Sequence, residues 1–238
     1  MAGYRQHISF SGILGVGYGL AANYLLGFTP VQGALAGVLT WVAGMLPDLD
    51  SETGKPVREV FSLLGAVAPL AMMGHLLKWG GNPETAMLYA VLLYGVVRYG
   101  GAALVGKLSV HRGMFHSIPA LLIAAELTFL AYESESVMVK VLMAGGVGLG
   151  FLSHLVLDEI YAVEWSGIRI RLNKAAGSAM KMVGRNFFPN VFTYALLCVL
   201  TYAALVDLGV MKSPAEEMQS PLENVLKQQA AQKNPERH

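Results

Sequence analysis

Residues 137–158 read VMVKVLMAGGVGLGFLSHLVLD, an apolar run that closes on a histidine and an aspartate four positions apart. A helix rising 1.5 Å per residue needs about 20 apolar residues to cross a hydrocarbon core about 30 Å thick, so this run predicts a membrane crossing. The four-residue interval puts His154 and Asp158 on one face at the end of that helix. Such a pair suits a divalent cation, although a histidine four residues before an aspartate can also simply donate a hydrogen bond to it.

Six further apolar stretches, at 8–28, 31–46, 60–77, 86–105, 115–132 and 191–208, resemble the first. With 54% hydrophobic and 14% charged residues in 238, the composition is that of an integral membrane protein. The expected fold is an all-α, polytopic transmembrane helical bundle of about seven crossings, six to eight. A basic segment from Glu164 to Asn186 is expected along the cytoplasmic surface. Residues 1–211 then form one transmembrane domain and 212–238 a polar, flexible tail. The stretch after Arg5 reads as an uncleaved first helix, because it is as long as a crossing and lacks a convincing cleavage site. A net charge of +1 offers no concentrated basic surface for nucleic acid. The lone Cys198 forms no internal disulfide. Gly145-Gly146-Val147-Gly148-Leu149-Gly150 marks close helix packing, since small residues let backbones approach in lipid.

Ionisable residues near lipid are costly and usually mark function. Alternating crossings place His7, Asp48, Asp50, His111, His116, His154 and Asp158 at one membrane face. That face also carries Arg5, Lys55, Arg58, Lys107, Arg112 and Lys181, so the positive-inside rule makes it cytoplasmic. Asp48 and Asp50 follow the helix breaker Pro47 and share a side in an extended segment. Gly113 permits a tight turn between His111 and His116, while Ser117 and Pro119 read as the cap and first turn of the next helix. A helix start favours an anionic group, which Arg112 can hold through two hydrogen bonds. Arg98 needs a partner such as Asp48, Asp50 or a phosphate, or else snorkels to the membrane edge. Glu126 is too deep for the ligand edge and suits a packing or neutralised role. Glu159 is a candidate base, although it points away from the face shared by His154 and Asp158.

Nitrogen and carboxylate donors without thiolates suit Zn, Mn or Fe, and their number exceeds the needs of one tetrahedral ion, so two divalent ions are expected. These segments, with Leu46-Pro47-Asp48-Leu49-Asp50, His111-Arg112-Gly113-Met114-Phe115-His116-Ser117 and Gly150 to Asp158, resemble the YdjM-like family of bacterial membrane-bound metal-dependent hydrolases. The likeness covers roughly residues 3–171. Its ligand logic is similar to that of zinc-dependent phospholipase C and single-strand nuclease enzymes. Ser51 departs from the pattern, because relatives often carry a histidine after the two aspartates. The resemblance implies a multi-pass protein of the inner membrane. Its metal site would face the cytoplasm and hydrolyse a phosphoester, in a lipid or lipid-linked headgroup. The expected chemistry is in-line attack by water on phosphorus, with divalent ions neutralising charge, Arg112 or Arg98 orienting the phosphate, and Asp50 or Glu159 managing the proton. Membrane lipids are the expected partners. The rival is a non-enzymatic membrane protein that binds metal for structure, sensing or transport. A transporter would place its ligands near the midplane, whereas these lie at an edge. A di-iron oxygenase fits less well, because its inward-facing Glu-x-x-His pairs are missing.

Overall fold

The computed structural model describes residues 3–50, 54–101, 103, 116–166, 169–172, 180–184 and 186–212, with side chains at 49–50, 54–60, 163–166 and 169–172 left aside. Among the described residues, the regular structure is helical apart from one short hairpin and an isolated bridge. Its helices are α1 (Tyr4–Tyr24), α2 (Pro30–Ala43), α3 (Gly54–Ala71), α4 (Met73–Gly80), α5 (Pro83–Gly95), α6 (Ile118–Ala131), α7 (Val137–Tyr161) and α8 (Phe187–Asp207). A 3-10 turn at Pro47–Asp50 follows α2, and a π-helical turn at Val96–Gly101 extends α5. Thr29 caps α2 reciprocally: its hydroxyl accepts from the Gln32 N–H at 3.2 Å, while Gln32 accepts from the Thr29 N–H at 2.9 Å. Ser117 caps α6 by accepting from the Ala120 N–H at 3.3 Å, as its sequence position predicts.

The expected count of seven crossings is not met. Only α7 and α8 are individually long and apolar enough to span a bilayer among the described residues. A third span arises if Phe61–Ala71 and Met73–Gly80, bent by 61° at their junction, act together. An apolar run is not a helix of the same length. Helices α2 and α6 have 14 residues each, about 21 Å against a hydrocarbon core of about 30 Å. Helix α1 has 21 residues, but Gln6, His7, Ser9, Ser11, Asn23 and its glycines dilute its hydropathy.

The basic stretch after α7 contains a hairpin of β1 (Val163–Ser166) and β2 (Arg169–Leu172), antiparallel with Glu164 opposite Arg171 and Trp165 opposite Ile170. Val163, Trp165, Ile170 and Leu172 alternate with polar residues, the period-two pattern of a strand. Ser117 and Lys181 form an isolated parallel bridge in which the Ile118 N–H donates to the Lys181 carbonyl at 3.2 Å, returning the chain to the start of α6. The tail at 213–238 lies outside the described residues.

Two helical hairpins, α1 with α2 and α6 with α7, pack through an interface between α2 and α7. Glycines make that packing close. Within the first hairpin, a Cβ at Gly19 would lie 2.5 Å from the Gly33 carbonyl, and between α2 and α7 one at Gly146 would lie 2.8 Å from the Thr40 hydroxyl. The core between them comprises Ala36, Leu39, Val42, Ala43, Leu142, Met143 and Val147. At the far end of α7, buried Lys140 pairs with Asp207 and sits 4.5 Å from the Phe129 ring centre. Glu133 there pairs with Lys78 and lies 3.6 Å from His75, so His75 stands apart from the other end, where the ligands gather.

Candidate metal centre

Four chain segments converge at the other end of the two hairpins. Helix α1 supplies His7 from its first turn, and the 3-10 turn after α2 supplies Asp48. His116 immediately precedes the α6 cap, and α7 supplies His154 and Asp158 from its last two turns. Each of these residues stands at or near a helix terminus, so the packing of alternate helix ends brings them together.

The distances define one cluster. His7 Nε2 lies 3.2 Å from Asp158 Oδ1, and His154 Nε2 lies 3.6 Å from Asp48 Oδ1 and 3.7 Å from Asp158 Oδ2. His116 Nε2 is 3.8 Å from both Asp48 Oδ1 and Asp158 Oδ2. The His7 and His154 rings stack with centroids 3.6 Å apart, and His116 meets His154 edge-on at 5.4 Å. Two triads have donor atoms within 4.8 Å of one another: His7, His154 and Asp158, all buried, and Asp48, His116 and His154, which opens outward through Asp48 and His116.

His154 is held in the form that binds a cation. Its Nδ1–H donates to the Gly44 carbonyl at 2.8 Å, which leaves the Nε2 lone pair facing the carboxylates. His154 Nε2 and His7 Nδ1 are buried without a hydrogen-bond partner. Burying such groups unsatisfied costs of order 1–3 kcal/mol each, a cost that coordination through His154 Nε2 removes there. The donors therefore fit a metal ion. Because Gly44 occupies Nδ1, His154 has one nitrogen for the two triads and serves a single ion.

At Asp48 burial raises the carboxyl pKa, but the hydrogen bond with His116 and the nearby charges of His154, His7 and His116 outweigh it. The net pKa is lowered from 3.8. Asp48 is thus a carboxylate at neutral pH, the form in which it ligates.

The remaining expected site residues divide. His111 and Arg112 lie outside the described residues, as do Ser51 and the side chain of Asp50. Arg98 sits in the π-helical turn with its guanidinium carbon 5.9 Å from the Tyr94 ring centre and 5.5 Å from that of Tyr99, and no described ion pair joins it to Asp48. Glu159 is half-buried, and the helix turns it about 100° from Asp158, outside both triads. Glu126 accepts from the Thr201 hydroxyl at 2.7 Å between α6 and α8, away from the cluster. The Gly44 carbonyl escaped the sequence reading. Its only sequence trace is a glycine ending α2 just before the Asp48 turn.

A sequence model of the family described as YdjM inner membrane protein matches residues 6–172, which include every candidate ligand and end with β2. No curated protein and no solved structure matches the chain.

Proposed function

The chain belongs to the YdjM inner membrane protein family, and from that premise we propose that it is a membrane-embedded, metal-dependent hydrolase of phosphoesters. Its substrate is a lipid or lipid-linked headgroup at the cytoplasmic face. The observation that carries this reading is the His154 imidazole, oriented by Gly44 with a free nitrogen aimed at two aspartates. His7, Asp48, His116, His154 and Asp158 would hold the ion. A bound divalent ion supplies Lewis acidity toward water and phosphate oxygens. Asp50 and His111 would hold a second ion.

The residues themselves do the rest. Gly44 fixes the His154 ring, Asp158 orients His7, and the open triad of Asp48 and His116 is where a substrate oxygen can approach. Arg112 orients the phosphate, and Asp50 or Glu159 takes the proton. Basic residues at this end of the helices support the cytoplasmic, multi-pass orientation.

A purely structural ion is the second reading. It is favoured by the burial of His7, His154 and Asp158, each at most 3% exposed, because closed sites are typical of structural metals. Purified protein in nanodiscs, stripped and reloaded with Zn, Mn or Fe, should release a headgroup from a lipid extract, and His116→Ala should abolish that release. Bound metal without release for any ion would leave the structural reading.

A further inference from the structure

An almost wholly apolar cavity of about 730 Å³ runs through the protein with α2 and α7 as its floor, α3 on one side, and α6 and α8 on the other. We propose that it seats the acyl chain of a phospholipid whose phosphate lies at the His/Asp cluster, an inference that rests on the phosphoester reading above.

Continuity with the cluster is the first argument. The lining residue Ala43 adjoins Gly44, Leu46 lies two residues before Asp48, Ala120 one turn after His116, and Phe151 three residues before His154. One end of the cavity therefore abuts the candidate ligands from three directions. Its lining on α6 continues to Ala131, about 16 Å further by helix rise, roughly half the thickness of a hydrocarbon core. That is the depth of an acyl chain in one leaflet. Among the described residues, Thr128 and Thr193 are the only polar side chains in the lining.

Size selects the occupant. The cavity offers about 730 Å³, within the range of small-ligand sites. Helix α3 packs mainly on α5 and the π-helical turn, touches α2 only lightly, and has no extensive described contact with α6 or α8, which leaves a path for a chain to enter sideways from the bilayer. The entry wall carries Phe188 and Phe192, both largely exposed. It belongs to α8, beyond the residues that the family model matches.

The test uses a phospholipid with a photoreactive diazirine near the middle of one acyl chain. The full-length protein is embedded in nanodiscs of phosphatidylethanolamine and phosphatidylglycerol, and cross-links are mapped by mass spectrometry. Cross-links should concentrate on Ala124 and Val147, and Ala124→Phe or Ala68→Phe should abolish them while metal content stays unchanged. Cleavage of a short, water-soluble phosphodiester should survive in those variants, while cleavage of the long-chain lipid is lost. Labelling spread evenly over the outer surfaces of α5 and α8, or unaffected by either filling variant, would overturn the proposal. If labelling is as expected but neither substrate is cleaved, the acyl site stands and the hydrolase reading falls.

Discussion

Replacing Gly150 with alanine should loosen the metal site without touching a ligand. A methyl at Gly150 would lie 2.9 Å from the Thr40 carbonyl carbon and 3.0 Å from Ala43 Cβ, and closer still to the Thr40 oxygen. Carbon atoms rest at about 3.5–4.0 Å from one another and only slightly closer to oxygen, so α7 must withdraw from α2 by about 1 Å or more. The backbone of Thr40 cannot rotate aside as a flexible side chain would. One turn further on, the His154 to Gly44 hydrogen bond of 2.8 Å stretches toward the limit of hydrogen bonding. Losing it costs about 0.5–1.5 kcal/mol and overpacking about 1–3, offset by about 1 kcal/mol for alanine's better helix propensity. We expect net destabilisation of about 1–3 kcal/mol, and metal affinity about 10- to 100-fold lower, as for other losses of a ligand-orienting contact. Chelator competition and thermal unfolding in detergent measure the two. Gly148→Ala is the control, because its methyl would meet only side chains at 3.8 Å. Wild-type affinity in Gly150→Ala, or equal loss in both variants, would refute the link between helix spacing and His154.

Other perturbations separate the parts of the site. His154→Ala, which removes the donor shared by both triads, should abolish divalent-ion retention, whereas His116→Ala should weaken it while the buried triad persists; elemental analysis of purified protein distinguishes them. In metal-free protein the Asp48 pKa is depressed on folding, so its stabilising contribution is present above about pH 4 and lost as the pH falls through the lowered value. Asp48→Asn should therefore flatten the acid limb of a stability-against-pH curve, and an unchanged limb would contradict the assignment. Asp207→Ala strands buried Lys140 and should cost about 1–3 kcal/mol, below the roughly 3–5 of fully buried pairs because Asp207 is 39% exposed. Metal content should not change in that variant, since Lys140 lies about 27 Å from Asp158 along α7.

Much of the site could be read from the chain because each ligand stands where an apolar run stops. His7, Asp48, His116, His154 and Asp158 need only antiparallel helices to share one end, and the structure brings those five together. What escaped reading has physical reasons. The Gly44 carbonyl is a backbone acceptor, which every residue possesses and no motif announces. Arg98 looked like a cation in search of a carboxylate, yet tyrosines four residues before and one after it offer ring faces instead. The crossing count failed because hydropathy measures the length of a run, while glycine and the π-helical turn decide where helices stop. The cavity is negative space between α3 and α6, and no single stretch of sequence encodes it.

A relation between the two hairpins emerges only in three dimensions. In the first, His7 opens α1 and Asp48 follows α2, 41 residues later; in the second, His116 precedes α6 and Asp158 ends α7, 42 residues later. Each histidine lies within ion-pair distance of the other hairpin's carboxylate, His7 with Asp158 and His116 with Asp48. His154, from the second hairpin, is oriented by Gly44 of the first. No triad is completed within one hairpin, so the site is a property of their docking and an ion held there ties the two together. The close glycine contacts between α2 and α7 are then part of the site's construction as much as of the fold's, because they set the spacing at which donors from separate hairpins meet.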